Sequence, residues 1–390
     1  MQSTEERNLE TIPVGPLGII ALDSCKTLGK KINNYLVDWR RERESEHKST
    51  IAFEGYQRDT YLLNTKVPRF GSGEAKGIIN ESVRGDDLYI LVDVCNYSMT
   101  YSLCGKTNHM SPDDHFQDLK RIIAAVGGKA RRISVIMPFL YESRQHKRTG
   151  RESLDCALAL QELVKMGVDN IITFDAHDPR VQNAIPLKGF DTVQPVYQFI
   201  KGLYKAVPDL HISKEDTMVI SPDEGGMSRA VYMANVLGVD MGMFYKRRDY
   251  ATIVNGTNPI VAHEFLGSDV SGKDVIIIDD MISSGGSVLE VASELKKRKA
   301  RRVFVCSTFG LFTNGMDEFD RANAEGKLDY VLTTNLVYQA PELLEKPYYI
   351  NCDMSKYLAF IIDTLNHDAS ISSLLNPLER INSFLAKHNK

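Results

Sequence analysis

The run from Val275 to Ser287 restricts the fold of this chain more than any other feature of its sequence. Four β-branched residues in a row, 275–278, are followed by Asp279 and Asp280 and then by a loop of small residues. An uninterrupted apolar run of this kind predicts a strand that is buried on both faces, as in a parallel sheet. Because the apolar signal stops abruptly at two acids, the sequence favours chemistry over packing at this point.

A helix is predicted directly after this loop. Apolar residues recur there at helical spacing, at Val288, Val291, Ala292 and Leu295. Ser287 is the expected N-cap, and the basic run 296–299 lies in the last turns, where the helix dipole favours cations. Strand, polar loop and helix follow one another here as they do in α/β folds.

The loop between strand and helix has the composition of a phosphate site. A helix N-terminus presents several backbone N–H groups and a positive dipole end, which together suit a phosphate. Asp279 and Asp280 can accept hydrogen bonds from vicinal hydroxyls of a sugar attached to that phosphate. The predicted ligand is a ribose phosphate, held by these two acids and by Ser283, Ser284, Gly285, Gly286 and Ser287. The alternative is a buried strand whose acids cap a helix or bind Mg²⁺.

The length of the chain and the repetition of this pattern predict two domains. A chain of 390 residues is too long for one typical domain. Strand, functional loop and helix recur in both halves, which predicts an α/β protein with two doubly wound domains around mostly parallel sheets. We expect a flexible arm over residues 1–13, an N-terminal domain over 14–193 and a C-terminal domain with an extra tail over 194–390.

The overall charge and the cysteines exclude several classes of function. A formal net charge of −4 and a pI near 6.2 give no general attraction to nucleic acid or anionic membranes. Six cysteines without C-x-x-C spacing indicate neither a zinc site nor a disulfide framework. The sequence starts without a signal-peptide pattern, and no apolar stretch has membrane-spanning length. The expectation is a cytoplasmic protein without nucleic-acid or membrane partners.

A glycine-rich turn in the first half is a candidate for binding a base. In the stretch 69–74, Phe70 can stack on a base and Glu74 can fix an amino group. A simple hairpin is the alternative, since such turns are common. The polar stretch from Cys95 to about Phe116 lacks clear periodicity, and it could be a lid, a subunit contact or a plain surface insertion.

Two further loops of the first half carry groups that suit polyphosphate. The strand predicted at 133–139 leads into a basic loop that contains Arg144, Lys147, Arg148, Arg151 and His146. Arginine forks and lysine charges are what a polyphosphate chain requires, although a solvated basic loop remains possible. His177 lies between acids at the end of the next strand, where it could contact phosphate directly or ligate phosphate-bound Mg²⁺. A structural histidine is the alternative.

Taken together, these motifs resemble one family, the ribose-phosphate pyrophosphokinases. The resemblance covers roughly residues 17–375. It rests on the Phe70 turn, the run 81–87, Ser143-Arg144-Gln145, Asp175-Ala176-His177, Ser221-Pro222-Asp223 with Gly225-Gly226, Lys246 with Arg248, and the Asp279-Asp280 loop. The chain departs from the family pattern at Ser72, His146 and Ser283.

The resemblance implies roles for individual residues. ATP would be held by Phe70, Ser72, Glu74, Arg144, Gln145 and His177, in a set completed across a subunit interface of a dimer or hexamer. His177 and Asp223 would serve Mg²⁺, Lys246 and Arg248 would be catalytic, and the Asp279-Asp280 loop would hold ribose 5-phosphate. The implied reaction transfers the diphosphoryl group of ATP to the anomeric hydroxyl of ribose 5-phosphate and releases AMP.

Two other functions remain open from the sequence. A phosphoribosyltransferase would need the ribose-phosphate loop and a nucleobase pocket, but it would leave the Arg144, His177 and Asp223 motifs without a role. A catalytically silent homologue could bind nucleotide or regulate a partner enzyme. The presence of Lys246, Arg248, His177 and Asp223 argues against that second alternative.

Overall fold

A computed structural model describes residues 12–45, 55–248 and 260–389 of the chain. These residues form two compact units. The first unit extends to Gln194 and also includes 335–338 and 353–375, whereas the second comprises 195–334, 339–352 and 376–390. The predicted arm falls almost wholly outside the described residues. The division into 14–193 and 194–390 remains a prediction about domains.

The first unit is built on a five-stranded parallel sheet with the strand order β1-β4-β7-β8-β9. Two small antiparallel pairs, β2–β3 and β5–β6, accompany it. Its elements up to Gln194 are β1 (Leu17–Ala21), α1 (Lys26–Ser45), β2 (Thr65–Lys66), β3 (Ile78–Ile79), β4 (Asp87–Leu91), β5 (Thr100–Leu103), β6 (Lys106–His109), α2 (Pro112–Val126), β7 (Arg132–Ile136), α3 (Asp155–Lys165), β8 (Asn170–Phe174) and β9 (Gly189–Val193).

Local sequence explains where the elements of this unit begin and end. All five residues of β4 are buried, as expected for a central parallel strand. Helix α2 starts at a capping box, in which the Ser111 side chain accepts from the Asp114 N–H and the Asp114 carboxylate accepts from the Ser111 N–H. It ends at Gly127, which has the left-handed conformation that glycine adopts at low cost.

The second unit is built on a seven-stranded sheet with the order β12-β11-β10-β13-β14-β15-β16. All neighbouring strands are parallel except β11 and β12, which form an antiparallel pair. Its elements up to Cys352 are α4 (Val196–Ala206), β10 (Thr217–Ser221), α5 (Met227–Leu237), β11 (Asp240–Arg248), β12 (Ile260–Leu266), β13 (Asp274–Ile282), α6 (Gly286–Lys297), β14 (Arg302–Gly310), α7 (Asp317–Ala324), β15 (Tyr330–Thr334), α8 (Pro341–Leu344) and β16 (Tyr349–Cys352).

The central strands of this sheet separate two hydrophobic cores. Val275 and Ile277 of β13 face a core that includes residues of α6 and α7. Ile276 and Ile278 face a second core that includes residues of α4 and α5. Alternation of side chains along one strand therefore fills both cores, which is why the strand reads as a continuous apolar run. The predicted doubly wound architecture is confirmed.

Three helices follow, namely α9 (Ser355–Asn366), α10 (Ser372–Leu375) and α11 (Leu378–His388). Helix α9 belongs to the first unit and packs against α1, where Trp39 stacks on Phe360 at 4.3 Å between ring centroids. Helix α11 belongs to the second unit and buries Ile381 and Leu385 in the core beside α4 and α5. The tail is therefore part of a hydrophobic core.

The contact between α1 and α9 contains a buried polar network. Arg40 is fully buried and donates to Asp363 at 3.2 Å, and Arg43 also pairs with Asp363. The ring of His367 donates from Nδ1 to the Asp363 carbonyl oxygen at 2.7 Å, and Tyr56 donates to Nε2 at 3.1 Å. Burial raises the pKa of Asp363, but the two arginines outweigh burial and lower it to about 2.

Three sequence-based expectations need correction or extension. The strand at Val275 continues through both acids to Ile282, because Met281 and Ile282 still pair with β14. The N-cap of α6 is Gly285, so the prediction of Ser287 as N-cap is wrong. The stretch without clear periodicity contains the hairpin β5–β6.

Within the described ranges, no helix is long and apolar enough to cross a membrane. All six cysteines lie in these ranges, and all are free, as expected.

Candidate active site

The acid pair lies near the carboxyl end of β13, a central strand of the second unit's sheet. Asp280 is buried, whereas the Asp279 side chain is 29% exposed. The N–H of Asp280 donates to Asp279 Oδ1 at 2.9 Å, and the N–H of Met281 donates to Asp280 Oδ1 at 3.0 Å. Burial and the neighbouring Asp280 carboxylate raise the pKa of Asp279 well above its usual range. Perturbed pKa values of this kind are typical of binding and catalytic sites.

The small-residue loop leads from this pair into α6. Gly285 has φ +89°, and a Cβ there would overlap Cε2 and Cζ of Phe319. The position therefore requires glycine both for its backbone conformation and for its close packing. The carbonyl of Ser283 accepts from Thr313 at 2.9 Å, which fixes the start of the loop. The loop thus holds the N-terminal N–H groups of α6 next to the acid pair along the chain, as a phosphate site requires.

The loop between β10 and α5 forms a second turn at the same end of the parallel strands. Asp223 Oδ1 accepts from the N–H groups of Gly225 and Gly226 at 3.0 and 3.3 Å. A Cβ at Gly226 would lie 2.9 Å from Ser221 Oγ and 3.7 Å from the Ile278 carbonyl oxygen. The start of α5 therefore packs closely against the strand that carries the acid pair.

The structure adds one residue that sequence reasoning missed. Arg229 lies in the first turn of α5, is 7% exposed, and approaches Asp279 Oδ1 at 3.7 Å and Asp280 Oδ2 at 3.8 Å. Burial and Asp280 raise the pKa of Asp279, and the Arg229 guanidinium acts in the opposite direction without reversing that rise. The only signal in the sequence is a basic residue soon after two glycines. The direction in which its side chain points depends on how α5 packs on the sheet, which the sequence does not give.

In the first unit, the Phe70 turn is short and presents its aromatic ring to solvent. The N–H of Phe70 donates to the Glu74 carbonyl at 2.7 Å, and the N–H of Gly73 donates to the Phe70 carbonyl at 2.9 Å. The ring of Phe70 is 53% exposed, and Ser72 Oγ donates to Glu74 Oε2 at 2.8 Å. The predicted stacking residue is therefore accessible, and the predicted polar residues beside it contact each other.

The hairpin β5–β6 supports this turn. Gly73 has φ +89°, and a Cβ there would lie 2.8 Å from Leu103 and 3.4 Å from Tyr101. At the tip of the hairpin, the N–H of Cys104 donates to the Gly71 carbonyl at 2.8 Å. Arg69, next to the turn, stacks over the Tyr101 ring at 4.6 Å. The polar stretch of the sequence thus contributes to the shape of the candidate base site.

The basic loop after β7 lies beside the His177 loop. The side-chain amide of Gln145 donates to the Ser153 carbonyl at 2.7 Å, which braces the loop, while Arg144 is exposed. The ring of His146 lies 3.5 Å from Asp178 Oδ2 and 5.4 Å, between centroids, from the ring of His177. The structure therefore brings the two predicted polyphosphate loops together in the first unit.

Lys246 and Arg248 lie in β11, where their backbones pair with His263 and Ile260 of β12. The side chains of residues 246–248 and 260–263 fall outside the described part of the chain. The catalytic role of Lys246 and Arg248 therefore stays a prediction.

Family models match both units. The model of the N-terminal domain of ribose phosphate pyrophosphokinase matches residues 17–167, and the phosphoribosyl transferase domain model matches residues 191–335. Fold and site thus define a two-domain protein of the phosphoribosyltransferase-like class. This confirms the fold class predicted from the sequence.

Relatives define the family more closely. Ribose-phosphate pyrophosphokinase of Vibrio vulnificus is 32% identical over 320 residues, which cover 81% of this chain and 92% of the relative. The enzyme of that name from Pasteurella multocida is 30% identical, with 80% and 91% covered. A crystal structure of phosphoribosylpyrophosphate synthetase from Mycobacterium smegmatis matches the fold with a TM-score of 0.69 at 23% identity, over 90% of this chain and 99% of the other. The chain belongs to the ribose-phosphate pyrophosphokinase family, as its motifs had indicated.

Proposed function

We propose that this protein transfers the diphosphoryl group of ATP to the anomeric hydroxyl of ribose 5-phosphate, giving phosphoribosyl pyrophosphate and AMP. The observation that carries the proposal is the acid pair of β13 followed, after residues 281–284, by the glycine-containing start of α6. This order along the chain suits a sugar phosphate, with hydroxyls on the acids and phosphate on the helix N-terminus. The names of the relatives support the same reaction. No observation favours a phosphoribosyltransferase or a silent regulator.

The second unit binds the acceptor, ribose 5-phosphate, in this proposal. Asp279 and Asp280 accept hydrogen bonds from the vicinal hydroxyls of ribose. The loop residues Ser283 to Ser287 and the N-terminal N–H groups of α6 hold the 5-phosphate. The close packing of Gly285 on Phe319 supports this role, because a loop without freedom to rearrange presents its donors in a fixed array.

The first unit binds the donor, ATP, in this proposal. Phe70 stacks on the base, Ser72 and Glu74 contact the edge of the base, and Arg144, Gln145 and His177 hold the phosphate chain. The exposed ring of Phe70 and the adjacency of the Arg144 and His177 loops support these roles. The protein is proposed to act as a homo-oligomer, a dimer or hexamer, in which neighbouring subunits complete the ATP site. A cytoplasmic location is part of the same proposal.

Catalysis in this proposal depends on positioning and on positive charge. The anomeric oxygen attacks the β-phosphorus of ATP while AMP departs, and negative charge accumulates on the equatorial oxygens. The protein takes little part in covalent chemistry, so the rate depends mainly on positioning of the substrates and on cations near these oxygens. Lys246 and Arg248 are the proposed cations, and one well-placed cation is worth about 10³-fold or more in such transfers.

Mg²⁺ is the proposed cofactor. Among the described residues, no group of three or more His, Cys, Asp or Glu side chains could hold a metal ion by itself. Mg²⁺ keeps several waters and is bound through one or two carboxylates together with substrate phosphates. Asp223 in the second unit and His177 in the first are each proposed to serve Mg²⁺ or its water shell. When bound, Mg²⁺ would neutralise charge on the triphosphate.

Formation of AMP tests the proposed function. Purified protein should make AMP from ATP only when ribose 5-phosphate and Mg²⁺ are both present. Asp280→Asn should reduce this activity strongly, because a neutral amide replaces an acceptor with a group that also donates. Arg298→Gln, at the exposed end of α6, is the matched control and should retain it. Absence of AMP from the complete mixture would refute the enzymatic function.

A further inference from the structure

The hairpin β5–β6 is an exposed addition to the first unit. None of its eight strand residues is buried, so it adds little to the hydrophobic core. Its tip, Cys104 and Gly105, has positive φ at both residues. What this tip contacts is the turn 69–74, whose Phe70 we propose to stack on the base of ATP.

Two contacts join the end of the hairpin to the turn. The N–H of Cys104 donates to the Gly71 carbonyl at 2.8 Å. The side chain of Leu103 packs on Gly73, since a Cβ at Gly73 would lie only 2.8 Å from Leu103 Cδ1. Both glycines of the turn are therefore contacted by the hairpin, one through a hydrogen bond and the other through an apolar side chain.

Arg69, at the start of the turn, connects it to the lower part of the hairpin and to α2. The guanidinium of Arg69 lies 4.6 Å from the centroid of the Tyr101 ring in β5, and it donates to Asp118 Oδ2 of α2 at 2.7 Å. The Tyr101 hydroxyl donates to Asp114 Oδ1, also in α2, at 3.3 Å. The side chains of Arg69 and Asp118 are 12% and 11% exposed, so solvent screens their ion pair little. The hairpin is thus anchored on α2 while its tip holds the turn.

The turn needs such support because its own structure is slight. Its backbone pairs across the turn between Arg69 and Ala75, and a short two-stranded hairpin of this kind is marginally stable by itself in water. The Phe70 ring is 53% exposed, so its own packing does little to hold it in place. A loop that is already held in its binding conformation loses less conformational entropy when the ligand binds. Contacts that fix the turn therefore favour binding of ATP.

We propose that the hairpin β5–β6 is a positioning element, which holds the Phe70 turn in its binding conformation and thereby raises the affinity for ATP. This role rests on the proposed stacking of Phe70 on the base. Leu103 and Cys104 act through the turn and not by contact with ATP. The proposal gives a function to the stretch 95–116, for which the sequence left a lid, a subunit contact and a plain insertion open.

A shortened hairpin removes the contacts of the tip and keeps those on α2. Leu103 pairs with Lys106 around the present two-residue tip, and Tyr101 pairs with Asn108 two positions further from it. Replacement of residues 102–107 by Asn-Gly removes two residue pairs, so the side chains of the remaining strands keep their directions. Asn-Gly suits a two-residue hairpin turn. The variant retains the stacking of Tyr101 with the arginine of the turn.

Calorimetric titration with ATP and Mg²⁺, in the absence of ribose 5-phosphate, tests the inference. The shortened hairpin should raise the dissociation constant for ATP about tenfold, while kcat at saturating substrates and KM for ribose 5-phosphate stay within about twofold of the original values. Leu103→Ala should raise the dissociation constant about two- to threefold, because it removes the side chain on Gly73 and keeps the Cys104 hydrogen bond. Thr107→Ala, at an exposed position of β6, is the matched control and should bind ATP as the original protein does.

A second measurement shows whether the hairpin acts through Phe70. In protein that carries Phe70→Ala, the stacking group is absent, so shortening the hairpin should weaken ATP binding much less than it does in the original protein. A hairpin that contacts ATP itself, or one that only stabilises the first unit, would weaken binding equally in both backgrounds.

The outcomes separate this inference from the proposed function. Failure of the unaltered protein to bind ATP would refute the proposed function itself. If the unaltered protein binds ATP and the shortened protein binds it equally well, the hairpin is a plain insertion and only its positioning role is overturned. An equal loss of affinity with and without Phe70 would also overturn that role, as would a loss of affinity that accompanies a change of oligomeric mass in sedimentation. If the shortened protein does not fold, Leu103→Ala with and without Phe70→Ala decides the question.

Discussion

Gly285→Ala is expected to damage both the stability of the second unit and its affinity for ribose 5-phosphate. The new methyl group meets two difficulties. The backbone has φ +89°, which costs a side-chain-bearing residue about 1–2 kcal/mol. The Cβ also overlaps the ring of Phe319, which is fully buried, and overpacking of this kind costs about 1–3 kcal/mol. The sum is about 2–5 kcal/mol, or roughly 4–20 °C in Tm for a unit of this size.

Phe319→Leu separates the two costs. Leucine lacks atoms at the Cε2 and Cζ positions that the methyl group overlaps, so the double variant should recover about 1–3 kcal/mol relative to the sum of the single changes. The cost of the backbone conformation should remain. Gly286→Ala is the matched stability control, because a Cβ there meets only Ser284 Oγ at 3.9 Å. Its Tm should change by no more than about 1–2 °C, in keeping with a near-neutral substitution.

Scanning calorimetry with and without ribose 5-phosphate is the appropriate assay. Ligand that binds the folded state shifts the transition of the unit that binds it, which identifies the second unit's transition in a two-unit protein. Additive effects of Gly285→Ala and Phe319→Leu would refute the packing argument. Unchanged ligand affinity in Gly285→Ala would refute the phosphate-loop argument, whatever the stability shows.

Three further predictions concern other parts of the chain. Burial lowers the pKa of His367, so its neutral form contributes stability that is present above about pH 6.5 and is lost as the pH falls. The pKa of Asp363 is lowered to about 2, so the charged carboxylate contributes stability that is lost below about pH 4. The Tm of the first unit should therefore fall on acidification. In His367→Asn, the part of this decrease near pH 6 should be absent. If Tm falls with pH as steeply in that variant as in the original protein, the assignment to His367 is wrong. Ile381→Ala should cost the second unit about 2–5 kcal/mol in denaturant unfolding, because this side chain is fully buried in the core, and a loss below about 0.5 kcal/mol would show that α11 is dispensable. Lys246→Ala should reduce kcat strongly with a modest change in ribose 5-phosphate binding, and unchanged turnover would remove Lys246 from the mechanism.

The sequence predicted the central strands and helices of the fold well, for a physical reason. Strands such as β8 and β13 are apolar on both faces, and helices such as α6 bury one stripe of apolar residues. Each of these two patterns therefore fits only one kind of element in an α/β fold, a strand inside the sheet or a helix packed on its face. The loop that we propose to bind phosphate could be recognised because short-range sequence order alone places acids, glycines and a helix N-terminus next to one another.

The missed elements lacked such a pattern or depended on distant contacts. The hairpin β5–β6 is mostly exposed and turns at Cys104 and Gly105, both with positive φ, whereas Asn-Gly is the usual signal for such a turn. The partners Arg40 and Asp363 are separated by 323 residues, and only the packing of α9 on α1 brings them together. Arg229 likewise acquires its two acidic neighbours through the packing of α5 on β13.

Direct observation of the products tests the central claim most directly. Phosphorus NMR of a reaction with ATP, ribose 5-phosphate and Mg²⁺ should show AMP and a ribose 5-phosphate that carries a diphosphate on its anomeric carbon, formed in equal amounts. In ATP labelled at the β-phosphorus, the label should move to the sugar. Formation of ADP with a label-free sugar, or no reaction at all, would contradict diphosphoryl transfer.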